Sequence, residues 1–218
     1  MLQILQPARV RRGHTENDTG NRHRESAPGI GTRYPLPVSI PGIVRPMPSP
    51  LGHGLAAVAV GWTVGEPART REALLMQTAL LVAIGSAADL DLLISRHSQE
   101  THSIGAAAIV ATLAAWWRWP IATSRVRTWM ATFCAWMTHP MLDMLASDQS
   151  APIGVMVLWP LSREHHQAGL DIFLAIWRRW ESADFLAHNL QALVREVVLL
   201  GPIAWAVWWF RVRRRQYR

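Results

Sequence analysis

Lysine is missing from this chain, so all 22 of its basic residues are arginine. Biased coding is the plain explanation. Charge of either sign is scarce: 17% of residues are charged, against roughly 25% in soluble domains. That shortage points to a membrane protein or a very buried helical one. With one cysteine, Cys134, no internal disulfide and no cysteine-based metal site can form. In an apolar helix it reads as a small core residue. Strand signals are few, since Ala and Leu dominate over Val, Ile and Thr, and the expected fold is all-α. Long hydrophobic runs are lacking too. The uncharged runs 73–88, 103–117, 128–142 and 197–210 hold 16, 15, 15 and 14 residues, each short of the roughly 18–20 of a clean membrane span. A buried soluble bundle therefore competes with a membrane bundle.

Half of the residues are hydrophobic, and the net charge is +7. A basic chain suits nucleic acid or anionic lipid. The arginines are not interleaved with aromatics on one amphipathic face, so membrane lipid is the expected partner and nucleic acid is not. Five arginines fall in the last eight residues, RVRRRQYR, directly after VVLLGPIAWAVWWF, as in a membrane helix with a basic anchor. Residues 1–46 are polar, with scattered Pro and Gly and no sustained periodicity. They read as a disordered or non-native extension. At Met47 the character changes abruptly to MPSPLGHGLAAVAVGW, and residues 47–218 read as one membrane-embedded domain.

Five helices are expected, over about 51–64, 72–94, 103–119, 126–146 and 186–211. They suit an up-and-down bundle of about four core helices plus a C-terminal helix. The stretch 147–185 is expected to include a short amphipathic helix. In this arrangement Trp62, Trp116, Trp117, Trp119, Trp129, Trp205, Trp208 and Trp209 all fall at one end, as an interfacial aromatic belt would. Arg69, Arg71, Arg118, Arg125, Arg127 and the C-terminal arginines share that end. The positive-inside rule makes it cytoplasmic in a multi-pass protein of the cell membrane. The seven arginines of residues 1–46 weigh against this orientation if that segment is present.

The same trace collects polar residues at the opposite end. His53 starts the first helix, Asp89 and Asp91 lie near the end of the second, and His97 is in the following turn. His102 begins the third helix, and His139 and Asp143 are near the end of the fourth. Helix order alone brings these seven together, on the non-cytoplasmic side if the arginine rule holds. His139 and Asp143, four apart, share one helical face and can grip one ion. Asp89 and Asp91, two apart, cannot share a face unless the helix is ending, so one ligates while the other bridges ions, orients a histidine or acts as a base. Each residue alone could be a helix cap or a satisfied polar group. Seven of the chain's histidines and carboxylates at one end of an apolar bundle is harder to assign to independent caps. Imidazole and carboxylate without thiolate suit Zn²⁺, Mn²⁺ or Fe²⁺, and seven candidates leave room for one or two ions.

Taken in order, MPSPLGHGLAAVAVGW, AADLDLL, HSQETHS, THPMLDML and LWPLS resemble the YdjM-like family of membrane-bound, predicted metal-dependent hydrolases. That family shows an early His, a P-D-x-D-like element, H-R-x-x-T-H-S, S-H-x-x-x-D and then W-P-F. The resemblance covers roughly residues 47–165 and falls on His53, Asp89, Asp91, His97, Thr101, His102, Ser103, His139 and Asp143. Ala88 replaces the usual Pro, Ser98 the Arg, and Thr138 the Ser before His139. None of these removes a ligand.

The expected function is hydrolysis of a phosphoester or ester, of a small molecule or a lipid-linked substrate, by metal-activated water. His53, Asp89, His102, His139 and Asp143 are the expected ligands. His97 is a sixth candidate, and Asp91 and His97 are the candidate catalytic groups. The alternative is a membrane protein that binds or transports a metal without hydrolysis. Met47 is the expected natural start. Mass spectrometry of the natively expressed protein should then find no peptide from residues 1–46, and finding one would refute it.

Overall fold

A computed structural model describes residues 47–94, 98–148, 152–178 and 180–214. The extension expected over 1–46 lies outside them. The described chain is helical, with α1 Pro50–Val64, α2 Arg71–Ser86, α3 Ile104–Trp116, α4 Arg125–Met144 and α5 Phe185–Val207. α2 continues as a 3₁₀ helix over Ala87–Ile94, and α5 as a π-helical segment over Trp208–Arg213. Local sequence sets most of the starts. Ser49, Thr70, Ser103 and Ser124 cap α1 to α4, each accepting from the backbone N–H of N3. Pro50 sits at the first position of α1, where its missing N–H costs nothing.

α1 and α4 form the centre of the bundle: α1 packs on α2, α4 and α5, and α3 packs on α4. Small residues let the backbones approach. Ala57, Ala107, Ala111, Ala131 and Ala135 are fully buried along the helix seams. Gly85 is the tightest point of the α1–α2 seam, since a Cβ there would lie 2.5 Å from Ala57 Cβ and 2.8 Å from the His53 carbonyl. At the far end Gln77 is buried and saturated: its amide donates to Glu66 O and Ile121 O, and its oxygen accepts from Ala68 N.

α5 runs parallel to α1. Glu196 meets Ser49 at the start of α1, and the Arg211 guanidinium donates to the Trp62, Thr63 and Gly65 carbonyls at its end. Leu186, Leu190, Val194, Val198, Ile203 and Trp205 remain exposed along its outer side. Two helical stretches, Arg71–Leu93 and Phe185–Arg213, are long and apolar enough to cross a membrane, while Pro50–Val64 and Ile104–Trp116 are shorter apolar helices.

Three expectations need correction. The described residues of the 147–185 stretch contain no amphipathic helix before α5, only turns and two isolated bridges, Ala146↔Phe173 and Val155↔His166. Their backbone serves other elements instead. The Val157 and Trp159 carbonyls accept from Ile104 N and Gly105 N, two first-turn donors that α3 cannot satisfy itself. α3 stops at Trp116 rather than 119, closed by Arg118 at φ 53°. Trp62 is 8% exposed and belongs to the core, whereas Trp116, Trp117, Trp205 and Trp209 are exposed near the expected level.

Gly85→Ala should therefore destabilise the protein by about 1–3 kcal/mol through overpacking. Gly201→Ala, whose Cβ would meet only Val197 Cγ1 at 3.7 Å, should stabilise α5 by roughly 0.5–1 kcal/mol. Thermal unfolding in detergent measures both; equal midpoints for the two variants would contradict the close-packed seam.

Candidate metal centre

The site is built where four helices end. His53 lies in the first turn of α1, Asp89 in the 3₁₀ continuation of α2, His102 just before α3, and His139 and Asp143 in the last two turns of α4. His53, His102 and His139 are fully buried, and Asp143 nearly so.

Their donor atoms face one another. His139 Nε2 lies 3.1 Å from His102 Nε2, 3.2 Å from Asp89 Oδ1 and 3.3 Å from Asp143 Oδ2. His102 Nε2 lies 3.4 Å from Asp143 Oδ2 and 3.6 Å from Asp89 Oδ1. His53 Nε2 is 3.5 Å from Asp143 Oδ1, and its ring stacks on His139 with centroids 3.7 Å apart. Ligands around an ion with bonds of about 2.1 Å are separated by about 3.4 Å at tetrahedral angles. Two groups, His53–Asp89–His139 and His102–His139–Asp143, each present donors within 4.8 Å of one another and can hold a metal ion.

The polar accounting supports this fit. Both ring nitrogens of His53 and both carboxylate oxygens of Asp143 are buried without a hydrogen-bond partner among the described residues. Groups of this kind are costly to bury unless something else satisfies them.

Neighbouring groups fix how the rings point. His139 Nδ1 is 2.6 Å from the Gly85 carbonyl, which can only accept, so Nδ1 carries the hydrogen and the Nε2 lone pair turns inward. His102 Nδ1 lies 3.3 Å from Asp91 Oδ2 and 3.0 Å from Thr101 Oγ1, while Thr101 Oγ1 donates to Asp91 Oδ2 at 2.6 Å. Asp89 and Asp91 thus stand on opposite edges of one imidazole. The 3₁₀ twist separates residues two apart by about a third of a turn, and the ring of His102 fits between them. Trp136 Nε1 donates to the Thr101 carbonyl and fixes this turn to α4.

Of the seven residues expected from sequence, five converge: His53, Asp89, His102, His139 and Asp143. Asp91 belongs to neither donor group and instead holds the outer edge of His102. His97 lies outside the described residues. The Gly85 carbonyl was not anticipated, because a backbone acceptor has no signature in sequence. Ser103 caps α3 rather than joining the site.

A family model described as YdjM inner membrane protein matches residues 47–216. No curated protein and no solved structure matches the chain.

A metal held by the His102 group would bind in a pH-dependent way. Burial opposes its protonation, but the Asp89 and Asp91 carboxylates outweigh burial, so its pKa lies above the ordinary histidine value. With the folded pKa above the unfolded one, its stabilising contribution is complete below the ordinary value and is lost as pH rises through the raised value. A metal requires the unprotonated nitrogen. Metal-free protein should therefore lose thermal stability as pH rises above about 6.5, while its apparent zinc affinity increases and protons are released on binding. Calorimetric titration in buffers of different ionisation enthalpy measures the proton; no release would contradict the assignment.

Proposed function

The chain belongs to the YdjM inner membrane protein family, and we propose that it acts there as a metal-dependent hydrolase holding one divalent ion, zinc. The observation that carries this reading is the convergence of three imidazole nitrogens and two carboxylates at 3.1–3.6 Å. Asp89 and Asp143 carry two negative charges, which a divalent cation would offset while the three imidazoles stay neutral. Imidazole and carboxylate without thiolate suit zinc, with Mn²⁺ and Fe²⁺ as chemically acceptable substitutes.

One ion is the reading, because both donor groups use His139. Its Nδ1 is committed to Gly85 O, and its Nε2 has a single lone pair to give. The ion supplies Lewis acidity, which lowers the pKa of water and polarises a phosphoryl or acyl oxygen.

The protein's own groups do the rest. Gly85 and Asp91 hold the His139 and His102 rings with Nε2 inward. Asp91 is thereby a positioning residue. Asp89 keeps 14% of its side chain exposed against 6% for Asp143. It marks the side from which water and substrate arrive and takes the proton as water attacks. Leu90 and Leu93 beside it are 63% and 83% exposed, which suits a lipid-like phosphoester or ester. His97 keeps its sequence-based place as a further candidate. The non-cytoplasmic orientation rests on the arginine distribution alone.

Zinc-loaded, detergent-purified full-length protein should hydrolyse a chromogenic phosphodiester or ester, lose that activity in EDTA and regain it with zinc. Asp89→Asn should lower kcat by about 10²–10⁴-fold with zinc retained by the other four donors. Stoichiometric zinc without turnover of phosphodiester, carboxylic ester or lipid phosphoester would end the hydrolase reading and favour metal binding or transport.

A further inference from the structure

Glu196 is fully buried in the middle of α5, and it is the single acidic residue after Asp184. It touches none of the metal-site donors. Its Oε1 accepts from Ser49 N at 2.7 Å, and Ser49 Oγ donates to its Oε2. Ser49 in turn caps α1, with Oγ accepting from Gly52 N at 3.2 Å.

This is the reciprocal pattern of a capping box, in which the cap hydroxyl serves the N3 amide and the N3 carboxylate serves the cap amide. Here N3 is Gly52 and has no side chain. The carboxylate comes from another helix, 147 residues away, into the space a side chain at 52 would fill. A Cβ on Gly52 would lie 2.8 Å from Glu196 Oε2 and 2.9 Å from its Cδ. A buried anion at this point also faces the positive end of the α1 dipole, as Arg211 faces the negative end.

The next residue along α1 is His53, whose N–H donates to the Ser49 carbonyl at 3.2 Å. We propose that Glu196 is a positioning residue for the metal centre: by completing the α1 capping box from α5, it fixes the axial position of α1 and hence of the His53 imidazole. The proposal rests on the metal-site reading and adds to it a residue that touches no donor.

The test moves the carboxylate from one helix to the other. Glu196→Ala should weaken zinc binding by about 10- to 100-fold, as loss of a group that orients a ligand does, and should speed amide hydrogen exchange over residues 50–56. Glu196→Gln, which keeps the shape, should show a smaller loss of both. The double variant Gly52→Glu with Glu196→Ala supplies the carboxylate in cis and vacates the space it needs. It should restore zinc affinity to within about threefold of wild type and slow the exchange again, although Gly52→Glu alone is damaging. A merely space-filling Glu196 would leave the double variant unrescued, and that outcome overturns the proposal. So does unchanged zinc affinity in Glu196→Ala, or unchanged exchange over 50–56. Wild-type protein that binds no zinc defeats the metal-site reading instead, a result visible before any variant is made.

Discussion

Two donor carboxylates, Asp143 buried and Asp89 half-buried, packed against three buried imidazoles in an apolar bundle are the constraint on which the rest of the structure depends. Asp143 is buried with both oxygens lacking a hydrogen-bond donor. It sits within 3.5 Å of nitrogens from His53, His102 and His139. Neutral imidazoles satisfy such an arrangement poorly, because each has one hydrogen to give and His139 gives its own to Gly85. A divalent cation held by either donor group would meet donors that the protein leaves unsatisfied, and its charge would equal that of Asp89 and Asp143 together. The ends of the four helices are arranged so that these atoms have nowhere else to turn.

The surrounding groups are consistent with that demand. The tight α1–α2 seam at Gly85 does two things: it lets α1 approach, and it leaves the Gly85 carbonyl against the His139 ring. The 3₁₀ continuation of α2 does two things as well. It ends the helix, and it splits Asp89 and Asp91 across His102. α4 carries His139 and Asp143 one turn apart, with Pro140 tolerated inside the helix. Stability and site geometry are therefore written into the same residues, so that changes at Gly85 or Asp91 act on both.

Much of this was legible in the sequence because the information was local or periodic. Four helices joined by short connections fix which ends meet, and that placed His53, Asp89, His102, His139 and Asp143 together before any coordinates. What could not be read depends on contacts between distant segments or on backbone groups. The roles of Asp89 and Asp91 differ only because a ring comes between them. Trp62 looked interfacial because its helix ends there, yet its neighbours bury it. The 147–185 stretch was expected to include a short amphipathic helix, but its described residues form turns, and the Val157 and Trp159 carbonyls are engaged by α3. Glu196 carried a signal, a lone carboxylate in an apolar helix; its partner Ser49 is too far away in sequence to be named from it.

The path of the chain also bears on where the site lies along the helices. α4 ends and α5 begins at the same end of the bundle, so the intervening stretch must stay there, and α5 returns parallel to α1. The 16 residues of α2 rise about 24 Å, and the three 3₁₀ residues to Asp89 add about 6 Å. Asp89 thus lies roughly one hydrocarbon thickness from Arg71. A carboxylate at the bilayer centre would have neither water to attack a substrate nor a route for the proton released. Asp89 keeps 14% of its side chain exposed, against 6% for Asp143. On the metal reading a cation would offset the cost of burying Asp143, and the fold of this end of the bundle would then depend on metal occupancy.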